Sequence, residues 1–269
     1  MSDRRPIGVF DSGVGGLTVA AALARRLPGE SILYLGDTAR LPYGTKSEQT
    51  VARYTQTNVD FLVGRGVKAV VVACNTASAL ALPRLVTALP VWGVIEPGAR
   101  RAAELSAGRV GVIATESTVR SDAYALALRR RRANLEVLSQ ACPLLVPLVE
   151  EGWLDDPVTA EVLRRYLAPL LAARIDTLVL GCTHYPLLAP AIAAVAGPSV
   201  RLVDSAEAVA EAVAAGLRER GLDSDQRTGE DHVCVTDAAA RFARLAREIL
   251  ERPVRLELVD LDRAAGGEP

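Results

Sequence analysis

The stretch VVACNTASAL, residues 71–80, is where the fold becomes readable. Just upstream, Ala69-Val70-Val71-Val72-Ala73 is a continuously apolar, β-branched run, the pattern of a strand covered on both faces of a parallel sheet. The run stops at Cys74-Asn75-Thr76, and helix-forming residues begin directly afterwards. A strand that feeds a helix across so short a turn belongs to a β-α-β unit, and here the turn carries a thiol. The pattern returns with an offset of 108 in residue number, where Leu178-Val179-Leu180-Gly181 runs into Cys182-Thr183-His184.

Outward from these two segments, short apolar runs alternate with longer helical patterns. Strands are expected at Ile7 to Phe10, Ser31 to Leu35, Ala69 to Ala73 and Val91 to Ile95, then at Val110 to Ala114, Leu135 to Leu138, Thr177 to Gly181 and Val200 to Val203. Helices are expected near 16–27, 47–65, 77–88, 97–107, 117–131, 157–173 and 205–220, with Asp156-Pro157 as an N-cap and first-turn proline. From about Val233 a further strand and helix follow, then a strand near Val254 to Leu258 and a loose tail, Ala264 to Pro269. This alternation predicts an α/β class with parallel sheets. Ile7-Gly8-Val9-Phe10-Asp11-Ser12 also resembles Val110-Gly111-Val112-Ile113-Ala114-Thr115, at an offset of 103. The near-equal offsets suggest a duplicated unit, each half giving one strand-end loop and one cysteine loop, although parallel strands resemble one another in general.

Composition narrows the function. The 269 residues are half hydrophobic, enough for one large domain or two ordinary ones. With 31 basic and 32 acidic side chains the formal charge is −1, which supplies no global attraction to nucleic acid or an acidic membrane surface. The basic run Arg129 to Arg132 is expected to be a solvated helix end. Neither a signal-peptide core nor an uninterrupted apolar span of about 18 residues is found. The four cysteines, Cys74, Cys142, Cys182 and Cys234, fit neither a disulfide framework nor a CxxC metal site, so free thiols in a reducing cytoplasm are expected.

Ligands of open α/β sheets gather beyond the carboxyl ends of the strands, so the chemistry should lie in the loops there. Asp11-Ser12-Gly13-Val14-Gly15-Gly16 follows the first strand and reads either as a tight glycine turn or as an anion-binding loop. A dinucleotide fingerprint is weak: Asp37 lies at a suitable distance, but Thr18 replaces the third glycine and Asp11 puts a charge where the motif begins. No glycine-lysine-serine/threonine sequence exists for a P-loop. Asp37-Thr38-Ala39-Arg40-Leu41-Pro42-Tyr43-Gly44 is a turn with an arginine and a hydroxyl near the mouth of a site.

The cysteine loops say more. A thiol at the start of a helix is expected to ionise more readily than a free one. Asn75-Thr76 and Thr183-His184 supply polar followers, and His184 is one of only two histidines. Cys142 and Cys234 lack such settings and are expected to be structural. A cysteine hydrolase would leave one loop without a purpose, and a metal site would need more ligands. Two matched thiols across a cleft can instead invert a carbon centre: a thiolate removes a proton from one face and a thiol returns one to the other. That chemistry needs donors for the developing dianion and exclusion of water, but no organic cofactor and no metal. A pyridoxal enzyme would need a Schiff-base lysine, and neither Lys46 nor Lys68 is suitably placed.

The segments Phe10 to Gly16, Asp37 to Gly44, Ala73 to Ala79 and Gly181-Cys182-Thr183-His184-Tyr185-Pro186 together closely resemble the glutamate racemases, within the cofactor-independent aspartate/glutamate racemase superfamily. Leu41 stands where phenylalanine is expected in many members. The resemblance implies two related parallel-sheet α/β domains, 1–97 plus 210–269 and 98–209, with the active site in the cleft between them. It implies Cys74 as the base for D-glutamate and Cys182 for L-glutamate, with Asp11 and His184 assisting. It further implies that Ser12, Tyr43, Gly44, Asn75, Thr76, Thr115, Thr118 and Thr183 hold the amino acid, beside Asp11 and His184. Glu150 matches an acidic position near the site, with Glu151 as the ambiguous neighbour. A cytoplasmic homodimer that supplies D-glutamate for peptidoglycan is also implied. Rival readings are a racemase for aspartate or a hydantoin, or a non-enzymatic nucleotide-binding α/β module.

Overall fold

A computed structural model describes residues 3–227, 229–237, 242, 246, 249–250 and 253–261. The first part of the chain runs β1 (Ile7–Asp11), α1 (Leu17–Arg26), β2 (Ile32–Gly36), α2 (Glu48–Gly64), β3 (Ala69–Val72), α3 (Asn75–Leu80) and β4 (Val91–Gly93). The second runs α4 (Ile95–Leu105), β5 (Arg109–Ala114), α5 (Glu116–Arg120), α6 (Ala123–Arg131), β6 (Glu136–Ala141) and α7 (Leu145–Glu150). It continues through α8 (Pro157–Ala172), β7 (Thr177–Gly181), α9 (Ala189–Ala196) and β8 (Arg201–Val203). The chain then returns by α10 (Ser205–Glu219) to β9 (Asp231–Val235) and β10 (Val254–Leu258).

Two sheets form, and every strand pairing in them is parallel. One has the order β10-β9-β2-β1-β3-β4, the other β6-β5-β7-β8. The inner order β2-β1-β3-β4 of the first is the order of the second, strand for strand. The repeat suspected from β1 and β5 is therefore a repeat of topology, and the two cysteines follow equivalent strands, β3 and β7. Strands β9 and β10 extend the first sheet beyond β2, so the end of the chain completes the lobe that the start began.

The continuous apolar runs are buried for the expected reason. Helices α1 and α10 cover one face of the first sheet and α2 and α3 the other. Helices α7, α8 and α9 cover one face of the second sheet and α4 and α6 the other. Val70, Val71 and Val72 have no exposure and Leu180 only 1 %. Truncating Leu180 to alanine in so tight a core should cost about 2–5 kcal/mol. Asp156 caps α8 as expected, its carboxylate accepting the Val158 N–H at 2.7 Å. The arginine run does end a helix, where Arg130 and Arg131 pair with Glu96.

Several element boundaries differ from expectation. Strand β4 stops at Gly93 because Ile95 already begins α4. Strand β6 runs on to Ala141 instead of stopping at Leu138. The helix expected over 77–88 starts at Asn75 but ends at Leu80, followed by a 3-10 turn around Pro83. The helix expected over 117–131 is two helices, broken where Asp122 takes a left-handed conformation at φ 57°. Helices α7 and α9 were not expected: both are short and carry a proline, Pro147 or Pro190. The helix expected between β9 and β10 lies mostly outside the described residues, and the tail after Leu261 wholly so.

Candidate active site

Asp11 ends β1, Cys74 follows β3, Thr115 follows β5 and Cys182 follows β7, so all four stand at carboxyl ends of central strands. Ser12, Tyr43, Gly44, Cys74, Asn75 and Thr76 line one cleft together with Thr115, Glu150, Cys182, Thr183 and His184. Gly13, Leu41, Pro42 and Val146, not named as ligands from the sequence, complete its wall, so the Leu41 departure falls on the cleft itself. Its volume is about 30 Å3, enough for a water or two, so the cleft is tight and largely closed off from solvent. A roomier hollow of about 390 Å3 behind α3 and α4 contains neither Cys74 nor Cys182.

Cys74 is the N-cap of α3, and its Sγ accepts the Ala77 N–H at 3.5 Å and donates to Ser12 Oγ at 3.7 Å. The expectation that helix polarity would favour its thiolate needs correction. Burial first, and the charge of Asp11 second, push the Cys74 thiol up to about 12, against the opposing pull of the Ala77 and Ser12 hydrogen bonds. Asp11 itself is wholly buried. One of its oxygens accepts from Gly13 N at 3.1 Å and Gly16 N at 2.9 Å, while Thr183 donates to the other at 3.3 Å. Its carboxylate thus ties the first glycine loop to the Cys182 loop and reaches Cys74 as a charge.

Cys182 has a different companion. His184 Nδ1 lies 3.9 Å from its Sγ, and Nε2 stands 3.3 Å from Glu150 Oε1, off the line of a good hydrogen bond. Burial alone would lower the His184 pKa. The interactions with Cys182 and Glu150 and the Asp11 charge outweigh it and hold the imidazole at about 10, protonated at neutral pH. Helix α7 puts Glu150 on the cleft wall and leaves Glu151 exposed.

Hydroxyls and an amide face the remaining space. Thr76 and Thr115 lie 3.0 Å apart across the lobes, each within 3.2 Å of Thr118, which stands behind them and off the cleft wall. Asn75 accepts a hydrogen bond from Tyr124, and its Nδ2 has no partner among the described residues. A Cβ on Gly44 would come within 2.6 Å of the Thr115 Cβ, so only glycine lets this loop meet the other lobe. Tyr43 lines the cleft while its hydroxyl donates to Asp37, which Arg40 Nε also contacts at 2.9 Å.

Asp37 is therefore a buried anchor for the Tyr43 loop, which removes the acidic residue of the dinucleotide fingerprint. The glycine loop has its own explanation: a Cβ on Gly15 would lie 2.5 Å from Thr183 Oγ1, so the loop is bare to let the Cys182 turn pass. Cys142 is buried and donates to Gln140 O at 3.6 Å, and Cys234 is buried in β9. Among the described residues, one group of donors could approach a metal: His232, Cys234 and Glu257, within 4.8 Å of one another. Arg65 already forks the Glu257 carboxylate at 2.7 and 3.2 Å, which opposes a second cation there. No described helix is long and apolar enough to cross a membrane.

The family model described as Asp/Glu/Hydantoin racemase matches residues 16–213. A glutamate racemase from Geobacter metallireducens is 54 % identical over 252 residues, covering 91 % of this chain and 93 % of that protein. Among solved structures, a glutamate racemase isoform from Bacillus anthracis superposes with a TM-score of 0.92 at 40 % identity, covering 96 % of this chain and 98 % of its own. The glutamate racemase of Francisella tularensis, solved in complex with D-glutamate, gives 0.90 at 39 % identity, with 97 % and 99 % covered. The chain belongs to the Asp/Glu/Hydantoin racemase family and, within it, to the glutamate racemases.

Proposed function

We propose that this enzyme interconverts L- and D-glutamate by two-base proton transfer between Cys74 and Cys182. The observation that carries the proposal is the placement of two buried thiols, from equivalent strands of two sheets, on the walls of one small cleft. A substrate held between them presents opposite faces of its α-carbon to the two sulfurs. For L-glutamate, the Cys182 thiolate takes the α-proton, and the Cys74 thiol gives its proton to the opposite face. The sulfurs exchange protonation states and the carbon is inverted. D-glutamate follows the reverse course.

The intermediate carries extra negative charge beside a carboxylate, so fixed donors must oppose it. Ser12, Thr76 and Thr115 are the groups at hand, with Thr118 supporting the threonine pair, while Asn75 Nδ2, without a partner among the described residues, suits a carboxylate of the substrate. Protonated His184 stands beside the Cys182 sulfur as a fixed cation, and Glu150 steadies the imidazole. Cys74, buried with only a hydroxyl and an amide beside it, is hard to ionise and correspondingly basic once ionised. In this reading the lobes are 1–97 plus 210–269 and 98–209, and the enzyme works as a cytoplasmic homodimer supplying D-glutamate for peptidoglycan. The four free cysteines suit that compartment.

The test is incubation of chelator-treated, pyridoxal-free protein with L-glutamate, following optical rotation to zero. Loss of rotation is expected. A stable signal with glutamate, beside turnover of aspartate or a hydantoin, would reassign the substrate, and no turnover of any of these would overturn the activity.

A further inference from the structure

Tyr124 stands outside the two cysteine loops yet touches the neighbours of both. It lies on α6, is 2 % exposed and packs in the core of the second lobe. Its hydroxyl donates to Asn75 Oδ1 at 2.7 Å, reaching across to the residue that follows Cys74. Its ring edge lies against the residue that precedes Cys182: a Cβ on Gly181 would meet Tyr124 Cε2 at 3.1 Å. Gly98 is similarly close, where a Cβ would come within 3.5 Å of the Tyr124 hydroxyl oxygen.

The consequence falls on Asn75. A primary amide has one accepting and one donating end, and only the donating end suits a carboxylate. With Oδ1 held by Tyr124, the Nδ2 end is left over. It is buried, has no partner among the described residues, and belongs to a side chain on the cleft wall. An unpaired buried donor is costly, so it favours an arriving acceptor.

We propose that Tyr124 is a positioning residue for substrate binding: its hydroxyl fixes the Asn75 amide with the donor end toward the cleft, where it receives a carboxylate of the amino acid. Because Tyr124 comes from one lobe and Asn75 from the other, the donor is aligned only while the lobes are together. Substrate affinity and closure of the cleft are then linked through one hydrogen bond. This rests on the glutamate racemisation proposed above.

Tyr124→Phe keeps the ring between Gly98 and Gly181 and removes only the hydroxyl. The expected result is a KM for both enantiomers raised roughly tenfold, the scale of one hydrogen bond to a charged group, with kcat changed less than about threefold. Asn75→Ala should raise KM at least as much. In the Asn75→Ala background, Tyr124→Phe should add almost nothing, since its effect runs through the amide. Unchanged KM in Tyr124→Phe, or an equal increase in both backgrounds, overturns the proposal. A Tyr124→Phe protein that loses kcat and folding together, without the KM split, overturns it as well. Racemisation by the wild type is measured first: an inactive wild type defeats the proposed activity, whereas an active wild type with an indifferent Tyr124→Phe defeats only this inference.

Discussion

Cys74 and Cys182 follow equivalent strands of two sheets with the same strand order, yet their surroundings are unlike. Cys74 caps a helix and meets a serine hydroxyl and a backbone amide, with burial pushing it up to about 12. Cys182 meets an imidazole backed by a carboxylate and held at about 10. The shared strand order places both thiols at equivalent strand ends, and their different neighbours make them chemically distinct. Racemisation requires opposed groups but does not require identical ones.

The largest effects should come from removing either sulfur. Cys74→Ala and Cys182→Ala should each lower kcat/KM by roughly a thousandfold or more, since each deletes a proton carrier. Near-full activity in either variant, measured by rotation, would break the comparison at its root. His184→Asn should be smaller, roughly tenfold to a hundredfold, because it misplaces or discharges the partner of one thiol. The two enantiomers have equal free energy, so kcat/KM falls equally in both directions. The asymmetry appears in the α-deuterium isotope effect, expected to grow more from L-glutamate than from D-glutamate. Equal growth from both would mean that His184 serves both thiols. Glu150→Gln should cost about three- to tenfold through the same histidine. Cys142→Ala, in a core pocket away from the cleft wall, should leave kinetics within about twofold.

The same contrast predicts a pH signature. His184 is raised from an ordinary 6.5 to about 10, so its contribution to stability is full below 6.5 and is lost as pH rises through about 10. The Cys74 thiol is raised from 9.0 to about 12, so its contribution fades between those values. Urea unfolding should therefore show stability declining above neutral pH. His184→Asn should lessen the decline between about 6.5 and 10, and Cys74→Ala should remove one proton's share of the decline between 9.0 and about 12, where other buried thiols and tyrosines also contribute. A His184→Asn profile parallel to the wild type would contradict the protonated imidazole.

Much of this was legible in the sequence for a physical reason. β3 and β7 are buried on both faces, so they read as unbroken apolar runs, and the thiols at their ends mark the cleft. Helices α7 and α9 were not legible, because each is short and carries a proline, so their stability comes from buried partners such as Leu145 and Ile192. That Glu150 rather than Glu151 lines the cleft depended on the orientation of α7. Tyr124 gave no local signal: it lies 49 residues from Asn75, and only the docking of the two lobes brings them together. The glycines of the first loop were visible, but not their purpose, which is passage of the Cys182 turn.

The most direct test of the two-thiol account is the early partition of label when L-glutamate is racemised in deuterium oxide. Abstraction by one sulfur and delivery by another predicts that newly formed D-glutamate carries deuterium at the α-carbon while recovered L-glutamate does not. Product that retains the original proton, or label entering both enantiomers at the same initial rate, would contradict opposed roles for Cys74 and Cys182.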